Sequence, residues 1–165
     1  MNGTQFMYFK SSPVRKRIVE KELWQRKGLN MKAIIAINKK NYIGLNDSLP
    51  WRSSEDLAHF KKMTMGTKVL VGRVTYEAMP KLKGREFIVV GKGYNTLKEG
   101  LAQNPDWLIG GKKLYESAIH LCSELHISVI DDESIGDTLA PDLDNFAGLA
   151  ASVFKYNFKT NKNNV

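Results

Sequence analysis

The sequence predicts an α/β domain in three layers, with helices on both faces of a mostly parallel central sheet that ends in an antiparallel C-terminal edge. Three observations lead there. Short apolar runs rich in branched residues recur at 32–37, 68–71, 87–90 and 107–109, the mark of strands buried on both faces. Helical patterns fall between them, at about 56–63, 74–79 and 112–122. Strands that alternate with helices need crossover connections, and those pair strands in parallel. Residues 124–130 alternate as a further strand, and 151–159 as the edge strand.

The chain has 165 residues, 42% apolar and 25% charged, enough for one domain with a sizeable core. No stretch approaches the roughly 20 apolar residues that span a bilayer, so no membrane association is expected. The first residues lack the apolar run and cleavage site of a secretory signal. Cys122 has no partner for an internal disulfide and sits in an apolar helical pattern, so a buried, inert thiol in a reducing cytoplasm is expected. His59, His120 and His126 are dispersed and give no metal-ligand spacing, so no metal is expected.

The net charge of +8 is uneven: residues 1–30 contribute +5 and the remaining 135 contribute +3. The basic character therefore belongs to a leader, read as a solvated or disordered extension with a short helix near 19–24. A nucleic-acid contact through Arg15-Lys16-Arg17 is the less favoured reading. The change to a strand-like run at Met31 puts the start of the folded domain there, giving an extension over 1–30 and a domain over 31–165.

Residues 38–48 are rich in turn formers and read as one long loop, ended by Pro50 and Trp51. Ser53-Ser54-Glu55-Asp56 then matches a helix start of the Ser-x-x-acid type. Asp56 shares its helix face with Phe60 and Met63, four and seven residues on. A carboxylate on an apolar face is costly unless a partner or a ligand answers it. Gly110-Gly111 and Gly72-Arg73 both stand at strand-to-helix turns, where backbone amides favour anions. With Arg73, Lys92, Lys112 and Lys113 near strand ends, they point to a ligand carrying several phosphates. The chain lacks both the P-loop pattern and a G-x-G-x-x-G fingerprint after its first strand.

Five motifs in order resemble the dihydrofolate reductase family over nearly all of residues 31–165. They are Ile43-Gly44 with Leu49-Pro50-Trp51 and Asp56-Leu57; Val71-Gly72-Arg73-Val74-Thr75-Tyr76-Glu77; Gly84-Arg85; Ile109-Gly110-Gly111 with Tyr115; and Gly136-Asp137-Thr138 with Pro141. The resemblance implies reduction of 7,8-dihydrofolate to tetrahydrofolate with NADPH, by a monomer that antifolate inhibitors would also bind. It gives Asp56 the pteridine and, through water held by Trp51, the proton for N5, with Ser128 hydrogen-bonding the carboxylate from behind. Ile35, Ala36, Ile37, Leu49, Phe60 and Ile109 would line the pterin slot, and Arg85 would pair with the glutamate tail. Ala36, Ile43, Gly44 and Leu49 would cover the nicotinamide, and Tyr115 would lie near the hydride path. Gly72, Arg73, Val74, Thr75, Lys92 and the turn Gly110, Gly111, Lys112, Lys113, Leu114 would hold the phosphates.

The chain departs from the family's pattern in four places. The segment between Val90 and Trp107 and the C-terminus are short, Ser128 stands where threonine is common, and Gly91-Lys92-Gly93 replaces a hydroxyl-bearing run. Two other readings compete. A reductase of a related pteridine or riboflavin-pathway intermediate is disfavoured by the pair Asp56 and Arg85, which answers a pterin and a carboxylate tail together. A non-enzymatic binding protein is disfavoured because Asp56, Trp51 and the glycine pair are all kept.

Overall fold

The computed structural model of the chain describes residues 13–26, 28, 30–44, 49–144 and 152–161. Six strands form the main sheet: β1 (Lys32–Asn38), β3 (Lys68–Gly72), β4 (Glu86–Val90), β5 (Trp107–Gly110), β6 (Glu124–Asp131) and β8 (Ser152–Lys159). Their order is β4-β3-β5-β1-β6-β8, which puts β1 near the middle. A separate ribbon pairs β2 (Tyr42–Gly44) with β7 (Thr138–Leu139), antiparallel. The helices are α1 (Pro13–Arg26), α2 (Ser54–Thr64), α3 (Arg73–Ala78), α4 (Leu97–Leu101) and α5 (Lys112–Ala118), and Ile119–Leu121 adds a 3-10 turn.

The layered, mostly parallel sheet agrees with the sequence, but the antiparallel edge lies elsewhere than expected. β8 runs parallel to β6 in unbroken register, from Glu124↔Ser152 to Asp131↔Lys159. Antiparallel pairing among the described residues is confined to the β2–β7 ribbon, inside what was read as uninterrupted loop. The connection over 132–151 exceeds the dozen or so residues that a parallel return requires, so the geometry is accessible.

Strand alternation divides the core in two. Ala33, Ile35 and Ile37 of β1 join Leu70, Leu108, Leu125 and Ile127 on the face covered by Leu114, Tyr115 and Ala118 of α5. Ile34, Val69 and Trp107 lie on the other face, packed by Phe60 and Met63 of α2 and by Ile109. Cys122 is fully buried just after the 3-10 turn, and burial pushes its thiol pKa up, so it is the inert thiol expected.

Two helices were not legible at their true extent. α4 was missed because five residues carry no periodicity, although Thr96 and Glu99 form a reciprocal capping box that marks its start. α1 is longer than the short helix expected at 19–24. It packs on the 3-10 turn, with Glu20 2.8 Å from His120 Nε2 and Trp24 against the core. The expectation of disorder over residues 1–12 lies outside the described residues.

Candidate active site

Ser53 is the N-cap of α2: its backbone is extended, and its hydroxyl accepts the amide N–H of Asp56 at 3.2 Å. The cap fixes the first turn so that Asp56 points at the sheet, where it is only 6% exposed. Burial raises the carboxyl's pKa, while a hydrogen bond from Ser128 and the nearby His59 act the other way. Ser128 can reach because it sits beside Ala36 in the β1–β6 register, on the α2 face of the sheet. Trp51 is buried just before α2, and its indole Nε1 meets no acceptor among the described residues. A buried acid and an unengaged donor thus stand five positions apart at the start of α2, whose apolar side toward Ile34, Phe60, Met63 and Ile109 forms the recess.

The walls of that recess correct part of the sequence reading. Ile35 and Ile37 were expected to line it, but their side chains lie on the opposite face, in the α5 core. The strand's two-residue period sends alternate side chains to opposite faces, so Ile34 and Ala36 stand toward α2. Ile34 was missed, and the pattern alone could have found it once the face of α2 was known. Phe60 and Ile109 are on the recess side as expected. Leu49 is largely exposed at its mouth. Tyr115 lies buried below, and its hydroxyl donates to the carbonyl of Ile34 at 2.6 Å. That bond locks the backbone of β1 at the recess, and burial keeps the phenol protonated.

Arg85 lies at the other end of α2. Its Nε donates to Thr64 Oγ1 at 3.1 Å and its Nη1 to the Lys83 carbonyl at 2.9 Å, and the guanidinium lies 5.9 Å from the Phe60 ring centroid. Thr64 is fully buried and donates in turn to the carbonyl of Phe60 at 2.7 Å. From Asp56 to Thr64 the helix rises about 12 Å. The acid and the fork therefore stand at opposite ends of α2.

The glycine turns pack side by side. A Cβ on Gly72 would stand 3.5 Å from the Gly111 amide nitrogen, and one on Gly111 would stand 2.7 Å from Thr75 Oγ1. Gly72 and Gly111 are the N-caps of α3 and α5, and neither helix has a side-chain cap. The peptide between Gly110 and Gly111 is cis. Arg73 pairs with Glu77 at 3.3 Å, and Gly91 approaches so closely that an added Cβ would meet the Arg73 Cβ at 2.8 Å. Lys92, Lys112 and Val74 are on the same rim, with Val74 exposed. Leu114 was expected at this turn, but its side chain is turned into the core, so it can offer only its backbone.

Gly110 has φ +123°, and a Cβ there would meet the Tyr115 ring at 3.2 Å. Gly110→Ala should therefore lower stability by about 1–3 kcal/mol. Thermal melts would check this, and an unchanged Tm would refute it.

Ile43 and Gly44 are held by β7. The amide of Asp137 donates to the Gly44 carbonyl at 2.9 Å and that of Ala140 to the Asn41 carbonyl at 2.7 Å. A Cβ on Gly136 would collide with the Gly44 carbonyl oxygen, which is why glycine is needed there. The Gly-Asp-Thr motif is thus a clasp on the β2 segment. Residues 45–48 of the long loop read over 38–48 lie outside the described residues. Among the described residues, no group of three or more His, Cys, Asp or Glu could hold a metal ion.

The family model described as dihydrofolate reductase matches residues 30–164. The chain belongs to the dihydrofolate reductase family. It is 34% identical to the dihydrofolate reductase of Mycoplasma genitalium over 136 residues, covering 69% of this chain and 85% of that protein. It is 32% identical to the type 5 dihydrofolate reductase of Escherichia coli over 148 residues, covering 79% and 92%. A solved dihydrofolate reductase from Enterococcus faecalis, in complex with NADP(H) and RAB-propyl, superposes with a TM-score of 0.63 at 28% identity, covering 68% of this chain and 77% of that one. The match to the reductase model begins one residue before Met31, where the sequence pattern also changes.

Proposed function

We propose that this chain reduces 7,8-dihydrofolate to 5,6,7,8-tetrahydrofolate with NADPH, sending hydride to C6 and a proton to N5. The observation that carries this is Asp56, a buried acid backed by Ser128 on the apolar side of α2. The residues present fit the cofactor. Two uncapped helix starts with glycine caps stand side by side, and Arg73, Lys92, Lys112 and Lys113 supply cations around them. When bound, NADPH supplies the hydride. Arg73 and Lys92 together favour the additional phosphate that separates NADPH from NADH.

The protein's own work is orientation and one proton. Asp56 binds the amino and ring N–H groups of the pteridine, and its raised pKa brings the carboxyl toward the range needed to pass on a proton. Trp51 Nε1 holds the water that relays the proton. Ile34, Ala36, Phe60 and Ile109 close the ring in apolar surroundings, which excludes competing solvent. Ile43 and Gly44, clasped by β7, cover the nicotinamide side. Tyr115 keeps β1 in place through Ile34. Arg85 takes the α-carboxylate of the glutamate tail, the planar fork being the right shape for it. Antifolates would compete for the same recess.

In this reading the enzyme works as a monomer in the cytoplasm, a reducing compartment in which a free, buried cysteine is at home. No described helix is long and apolar enough to cross a membrane. The deciding experiment follows the loss of NADPH absorbance on adding dihydrofolate. We expect dihydrofolate-dependent oxidation, and its absence would overturn the assignment.

A further inference from the structure

We infer that Asn161 and Ser53 are positioning residues for Asp56, so that the last strand is part of the mount of the acid. The inference rests on the assignment of Asp56 made above. β8 ends directly over the first turn of α2. The Ser53 hydroxyl that accepts the Asp56 amide also donates to the Lys159 carbonyl, at 2.7 Å. The Lys159 amide donates to Glu55 Oε2 at 3.3 Å. Two residues on, the Asn161 amide donates to the Arg52 carbonyl at 2.9 Å. Its side-chain Oδ1 accepts from the Ser54 amide at 2.9 Å and from Ser54 Oγ at 2.9 Å, while Nδ2 lies 2.7 Å from the same hydroxyl.

The first amides of a helix have no partner within the helix. Here two of them, on Ser54 and Asp56, are bound from outside, by Asn161 and Ser53. Asp56 is the third helical residue, so any fraying of this turn moves its carboxylate. β8 grips α2 again one turn on, where the His59 ring lies 4.3 Å from Tyr156 and 5.3 Å from Phe158. The acid is therefore fixed from two neighbouring strands: β6 holds its carboxylate through Ser128, and β8 holds its backbone through Ser53. A carboxamide suits position 161 because it accepts and donates at once. Aspartate keeps the acceptor and gains the favour of the helix start for negative charge, whereas alanine keeps neither.

The test uses the full chain with Asn161→Ala, Asn161→Asp and Ser53→Ala. Asn161→Ala should speed hydrogen exchange at the Ser54 and Asp56 amides and lower kcat with dihydrofolate roughly tenfold, since small misplacements of a reacting group carry large rate costs. NADPH affinity should stay within about twofold of the parent, because the glycine turns are untouched, and Asn161→Asp should recover most of the rate. Ser53→Ala should repeat the exchange effect at Asp56. Unchanged exchange at both amides would overturn the inference. So would faster exchange with parental kcat, or a loss of kcat matched by loss of NADPH affinity. The parent is assayed first: a parent that does not turn over dihydrofolate defeats the activity itself, a failure distinct from that of the clamp.

Discussion

Asp56→Asn should lower kcat at pH 7 on the order of a hundredfold or more, because it removes the one group placed to supply a proton in the recess. Part of the rate should return as pH falls, since solvent can then protonate the substrate without the enzyme's acid. The same change should make the protein more stable at pH 7. Burial raises the pKa of Asp56 in the fold, so the native state holds this proton more tightly than the unfolded chain does. The stability linked to that proton is present at low pH and is lost as pH rises through the raised value. Above that raised value the native chain carries a buried charge, and asparagine removes it. Melting curves should place the variant above the parent at pH 7, with the gap narrowing as the buffer is made more acid. Parental turnover at pH 7, or a lower Tm there, would contradict the role given to Asp56.

Arg85→Leu should raise the KM for dihydrofolate about a hundredfold, the scale set by losing two charge-assisted hydrogen bonds to a carboxylate. NADPH binding should be unaffected, because the contacts of Arg85 are with Thr64, Lys83 and Phe60. Arg85→Lys should recover only part of the loss, since a lysine cannot reproduce the fork that Thr64 and Lys83 hold in plane. Steady-state kinetics with dihydrofolate separates these outcomes. A leucine variant with parental KM would show that the carboxylate tail is bound elsewhere.

Much of this is legible in the sequence, and what is not has physical causes. Asp56 could be found because it breaks the apolar face of its helix and follows a capping serine, and both signals are local. The glycine turns could be found because they interrupt a strand-to-helix pattern. Ile35 was assigned to the recess because β1 is apolar on both faces, so hydrophobicity alone cannot say which residues face α2. The direction of β8 was also hidden, because a strand's sequence looks the same whichever way it runs. Asn161 gave no signal at all: its partners Arg52 and Ser54 lie more than a hundred positions earlier. Contacts of that range are fixed by topology, which no local pattern encodes.

The all-parallel main sheet has a further consequence, for the time course of folding. No pair of neighbours in it can be closed by a tight hairpin, so every pairing waits on a crossover whose closure entropy is met before the contact forms. Such topologies fold slowly. β8 joins the sheet through β6 alone, so it can dock only after β6 has been built in. Since β8 also closes the first turn of α2, regain of turnover during refolding should lag behind regain of secondary structure. The order of assembly would then leave the backbone of Asp56 among the last parts of α2 to be fixed.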